Sequence, residues 1–149
     1  MTYKTFMDYV GEHGNEITKE VFIFDKPAIE VTAKIVDDEL QVFVEGNRIE
    51  YEDEYDLQNY LEDNYGAEIR FCTYCGGIMQ SGMTDDDGDF YNHEECFPLV
   101  MNDSYGEGNW RASVDEDGES VENRMGGYYE YRDKNGEWKP EPSYYTEWY

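Results

Sequence analysis

The chain has 149 residues, with 36 acidic against 11 basic side chains and a formal charge of −25. That charge argues against direct binding to DNA or RNA, because phosphate contact needs clustered Lys and Arg. A content of 39% hydrophobic and 17% aromatic residues excludes disorder as the state of most of the chain, since disordered acidic chains lack aromatics.

The acidity is not a tail. Residues 1–71 hold 18 acids and 6 bases, and residues 72–149 hold 18 acids and 5 bases. No apolar run approaches the roughly 18 residues needed to span a bilayer. The stretch MTYKTFMDYV lacks the apolar centre of a secretion signal. Three cysteines, an odd number, do not make a secreted disulfide framework. The expected compartment is a reducing cytoplasm, that of a host cell.

In chain order, residues 3–12 predict a short helix with Phe6, Met7 and Val10 facing inward. Residues 21–24, 29–36 and 40–44 are rich in β-branched and aromatic side chains and predict three strands. Lys26-Pro27 marks the first turn and Asp37-Asp38 the second. A second helix follows, with Tyr55, Leu57, Gln58, Tyr60 and Leu61 as its stripe and Gly66 as its stop. Residues 1–70 thus predict a small α-β-β-β-α unit. Residues 71–101 form a cysteine module. Residues 102–149 predict a β-hairpin region, with turns at Asp117-Gly118 and Asn135-Gly136. No internal repeat is evident, and residues 102–109 are the best boundary candidate. The expected class is α+β.

The cysteine module has the spacing Cys72-x2-Cys75-x17-His93-x2-Cys96. Two ligands three positions apart reach one tetrahedral ion from a tight turn, and a second such pair completes the shell. Cys3His is a standard structural zinc set. Four protein ligands leave no open position for catalysis. Ordinary thiols and a redox Cys-x-x-Cys are the alternatives. The second needs basic neighbours to lower a thiol pKa, and residues 72–109 contain no Lys or Arg. A calcium-loop pattern also fits Asp85, Asp87, Gly88 and Glu94, but Met83 stands at its first ligand position.

Residues 71–97 resemble a treble-clef zinc module, most closely the first zinc half of a LIM domain. The resemblance implies a knuckle bearing Cys72 and Cys75, a hairpin, and a short helix bearing His93 and Cys96. It covers 27 residues, and no cysteine follows Cys96 to supply a second zinc half.

Two acidic clusters are candidate partner surfaces: Asp85, Asp86, Asp87 and Asp89, and Glu50, Glu52, Asp53, Glu54 and Asp56. A terminal aromatic run adds Tyr144, Tyr145, Trp148 and Tyr149. Acids steer a basic partner inward and Tyr or Trp anchors it. In character the chain is similar to phage- or mobile-element-encoded DNA-mimic anti-defence proteins of the anti-CRISPR and anti-restriction type. That resemblance implies a non-catalytic inhibitor, carrying structural zinc, that blocks the DNA site of a basic nuclease. A zinc-stapled protein-interaction adaptor in regulation or phage assembly is the alternative.

Overall fold

The computed structural model describes residues 4–92 and 94–148. They divide into two compact units, one of residues 4–80 with 147–148 and one of Ser81–Thr146. The class is mixed α/β, with three helices and several small sheets. No described helix is long and apolar enough to cross a membrane.

The first unit opens with α1 (Phe6–Glu12). Thr5 caps it: the Asp8 amide donates to Thr5 Oγ1, and the Thr5 amide donates to the Asp8 carboxylate. These bonds hold the Asp8 carboxyl below its ordinary range. Four strands follow as an antiparallel meander: β1 (Glu16–Ile23), β2 (Lys26–Val36), β3 (Glu39–Val44) and β4 (Asn47–Ile49). Alternation sets the faces. Ile29, Val31 and Ala33 of β2 and Leu40, Val42 and Val44 of β3 point into the core. Helix α2 (Glu54–Tyr65) adds Leu57 and Leu61, one turn apart and fully buried. Phe6 and Val10 of α1 join the same cluster. Truncating one such side chain costs about 2–5 kcal/mol.

Three expectations need correction. The first turn lies at Phe24-Asp25, and Pro27 sits within β2. Pro can occupy a strand where its missing N–H faces away from the ladder. Strand β4 was not expected; three residues are too few for a periodic signal. Tyr55 belongs to the exposed side of α2, at 69% exposure, because the inward stripe is set by Leu57 and Leu61, with the half-buried Tyr60 packed beside them.

After α2, two-residue strands β5 (Arg70–Phe71) and β6 (Ile78–Met79) pair around the first two cysteines. The loop they close packs back on α1. Gly76 has φ +81, and a Cβ there would lie 2.1 Å from the Thr5 carbonyl oxygen.

The second unit holds β7 (Ser81–Thr84), β8 (Phe90–Tyr91), α3 (Phe97–Tyr105), β9 (Trp110–Ala112), β10 (Tyr129–Arg132), β11 (Trp138–Glu141) and β12 (Tyr144–Glu147). They form two three-stranded sheets, ordered β12-β7-β8 and β11-β10-β9. Aromatics fill the space beside α3. Phe97 packs on Tyr129 and Trp110, and Tyr105 stacks on Tyr131 with centroids 4.6 Å apart. The β10–β11 hairpin forms as expected. The one expected at Asp117-Gly118 shrinks to a single bridge, Val114 to Ser120. The chain turns again at residues 123–127, so β9 pairs with β10 instead. Residues 102–105, part of the expected boundary, lie within α3.

Two glycine variants separate strain from contact. Gly46 has φ +79 with nothing within 4 Å of its would-be Cβ. Gly46→Ala should therefore cost about 1–2 kcal/mol, the strain of a left-handed residue. Gly76→Ala adds a clash with main chain and should cost clearly more. Urea unfolding of the two variants checks this; equal losses would contradict the contact.

Candidate metal centre and acidic surface

The loop from Cys72 to Gly77 is a tight knuckle. The Cys72 amide donates to the Gly77 carbonyl at 2.9 Å, and the Gly76 amide to the Cys72 carbonyl at 2.8 Å. Gly77 comes close to α1 through the Tyr9 ring, which a Cβ would meet at 2.8 Å. Small residues are therefore required twice, once for the turn and once for the approach. Cys96 occupies the N-cap position of α3, where its side chain makes no capping hydrogen bond. Asn92 holds the turn that leads into the helix: its Oδ1 accepts from the amides of Glu94 and Glu95, and its carbonyl accepts from Cys96 and Phe97.

The three sulfurs of Cys72, Cys75 and Cys96 lie within 4.8 Å of one another. All three residues are thiols, and Cys72 and Cys96 are buried. Thiolates sharing a tetrahedral ion at about 2.3 Å stand roughly 3.8 Å apart, so this donor set can hold a metal. His93, the fourth expected ligand, lies outside the described residues.

The acidic tip at residues 85–89 is a defined turn. The Asp85 amide donates to the Asp89 carbonyl, and Asp85 Oδ1 accepts from the amides of Asp87 and Asp89 at 3.0 and 2.9 Å. Gly88 has φ +83. The same five-residue geometry recurs at 115–119, 123–127 and 133–137, headed by Asp115, Asn123 and Asp133. Each has a fourth-position glycine with φ between +80 and +82. An internal repeat thus exists, as a turn too short to register as a sequence period. Asp85 spends one oxygen on this turn, as its counterparts do, which accounts for the calcium-like pattern. Burial, then the neighbouring Asp85 and Asp87, raises the Asp89 carboxyl above its ordinary range.

The second acidic cluster also has structural duties. Asp53 Oδ1 accepts from the amides of Tyr55 and Asp56 and caps α2. Asp56 returns the contact, accepting from the amides of Glu52 and Asp53. Glu54 accepts from the Phe6 amide at 2.9 Å. Glu50 and Glu52 are exposed. With Glu39, Arg48 and Asp56 they line an open groove of 720 Å³. Burial, then Glu54, Asp53 and Asp56, pushes the Tyr51 hydroxyl well above its ordinary range.

The aromatic run begins in a strand, β12 (Tyr144–Glu147). β12 pairs with β7, and Thr146 Oγ1 lies 3.3 Å from Thr84 Oγ1. Tyr144 and Tyr145 remain 45% and 42% exposed. The Trp148 amide donates to the Gln80 carbonyl at 2.7 Å. Tyr149 lies outside the described residues. One polar cluster escaped the sequence reading. Glu141, only 4% exposed, accepts from the Tyr105 hydroxyl and from Ser143 N and Oγ at 2.7 and 2.5 Å. A lone Glu in a Pro-rich stretch gives no signal of burial.

No family model matches the chain, and neither a curated protein nor a solved structure is found to match it.

The turn geometry yields a graded expectation. Asp85→Ala removes an acceptor for two amides and should cost about 0.5–2 kcal/mol, the scale of a lost cap. Asp86→Ala alters an exposed residue and should stay within about 0.5 kcal/mol. Asp85→Asn keeps the acceptor and should resemble Asp86→Ala. Thermal unfolding of the three variants tests the ranking.

Proposed function

We propose that the chain is a non-catalytic acidic inhibitor of a basic, nucleic-acid-binding defence enzyme. A CRISPR-associated nuclease is the first choice of target and a restriction enzyme the second. In this reading the protein acts in the host cytoplasm and occupies the enzyme's DNA site in place of the duplex. One observation carries it: carboxylates are held at fixed places on a strongly negative fold. Asp53, Asp56 and Asp85 are tied to main-chain amides, beside Glu50, Glu52, Asp86 and Asp87. A mimic of a phosphate array needs charges in position, whereas solubility needs only their number. With 11 bases against 36 acids, most carboxylates have no intramolecular cation to meet. They steer a positive partner from a distance.

The metal in this reading is one structural zinc on Cys72, Cys75 and Cys96, with His93 as fourth ligand in a treble-clef-like module. Bound zinc ties the knuckle to the start of α3 and supplies no chemistry. Protein purified without added metal should carry about one zinc per chain. Cys72→Ser should lower that content and destabilise the fold. Elemental analysis decides it, and a content below about half an equivalent counts against the site.

Inhibition is tested by competition between this protein and target duplex for a purified CRISPR-associated nuclease. Mutual exclusion is expected, with association slowing as salt rises from 0.1 to 1 M and the Debye length falls from about 10 to 3 Å. Four neutralisations that spare the turn and cap acceptors sharpen the test: Glu50→Gln, Glu52→Gln, Asp86→Asn and Asp87→Asn. At about 0.2–1 kcal/mol per exposed pair they should weaken binding about four- to several-hundredfold if all engage. A control of equal size, Glu116→Gln, Asp117→Asn, Glu119→Gln and Glu122→Gln, should do far less. Simultaneous binding of duplex and protein would leave the adaptor reading.

A further inference from the structure

The β1–β2 turn carries two large apolar side chains outward. Alternation along β1 buries Val21 and turns Phe22 outward, 51% exposed, and the register slips between Val21 and Ile23. Phe24, at the turn beside Asp25 with φ +60, is 83% exposed. Both Phe residues line a 300 Å³ groove with Ala67 and Trp148, and Glu68 and Glu147 lie on it as well. Single exposed apolar side chains are ordinary on a protein surface, but two exposed Phe gathered beside Trp148 at one groove form an apolar cluster, and contiguous apolar patches mark contact surfaces.

Gln80 ties the groove together. Its side chain, in a residue 8% exposed, accepts from the Phe22 amide at 2.7 Å and donates to the carbonyls of Phe22 and Glu68 at 2.8 and 3.1 Å. Its own carbonyl receives the Trp148 amide, and the Arg70 guanidinium sits 5.5 Å from the Trp148 ring centre. One buried residue, through its side chain and its main-chain carbonyl, thus fixes Phe22, Glu68 and Trp148. It also occupies both main-chain groups of Phe22, so a partner strand cannot add to the sheet there. Recognition at this place must run through side chains.

We infer that this groove receives an apolar side chain flanked by Lys or Arg on a basic partner protein. Charge selects that occupant. Glu68 and Glu147 are exposed at the groove, Asp25 lies at the turn, and a second copy of a chain of charge −25 would be repelled. The inference rests on the inhibitor reading for the partner's sign and adds where the apolar part of the contact is made.

The probe is acetyl-Lys-Phe-Lys-amide, followed by NMR on the full chain. It should shift the resonances of Phe22, Ala67, Glu68 and the Trp148 indole. Acetyl-Lys-Ser-Lys-amide and acetyl-Glu-Phe-Glu-amide should shift them far less, and Phe24→Ser or Glu147→Gln should cut the response at least about threefold. Equal shifts with the serine peptide, or shifts centred elsewhere, overturn the inference. Against the nuclease, Phe24→Ser should weaken binding about tenfold, the scale of one lost apolar anchor. Unchanged affinity with duplex competition intact overturns the groove and leaves the inhibitor reading standing. Peptide binding at the groove without duplex competition does the reverse. Sedimentation showing a dimer that Phe24→Ser dissolves would assign the groove to a second copy and also overturn the proposal.

Discussion

Carboxylates accepting from main-chain amides are the interaction on which this architecture depends. Turns and helix starts leave N–H groups without intrahelical or ladder partners, and this chain satisfies many of them with acidic side chains. Asp8 completes the cap of α1, Asp53 and Asp56 cap α2, and Asp85, Asp115 and Asp133 close three turns. Asn123 closes a fourth by the same geometry. At Asp8 the bonds to Thr5 hold the carboxyl below its ordinary range, so accepting from an amide and carrying charge go together there. Acidity and order are therefore not opposed here: some of the charge that repels the chain from itself also fixes its loops.

The cysteine knuckle shows a different economy. Its first two cysteines sit in a loop of six residues between two-residue strands, too short to be stable alone. Support comes from α1: Gly76 lies against the Thr5 main chain with no room for a Cβ, and Gly77 lies close beneath the Tyr9 ring. The loop is thus shaped from both ends of the unit. One end is the main chain at Thr5, and the other is the hairpin register Arg70 to Met79 and Phe71 to Ile78.

Much of the first unit was legible in the sequence because its strands alternate and its helices carry their apolar residues one turn apart. Val31, Val42, Leu57 and Leu61 all fall where periodicity puts them. The cysteine spacing likewise foretold three thiols in one place. What was not legible depends on contacts distant in sequence. Trp110–Ala112 looked like half of a local hairpin, yet the partner it found begins at Tyr129. The stretch from Tyr144 gave no sign of its partner, yet it completes a sheet with β7. Glu141 gave no hint of burial, since nothing local foretells Tyr105 and Ser143 around it.

Thr5 joins the cap to the knuckle: its hydroxyl receives the Asp8 amide, and its carbonyl, which accepts from the Tyr9 amide, abuts Gly76. A loop that loosens at Gly76 releases the wall against which the first turn of α1 is seated. The amide of Asp8, far from any cysteine in sequence, is then a natural reporter of the knuckle. Its exchange with solvent deuterium should follow the opening of that loop.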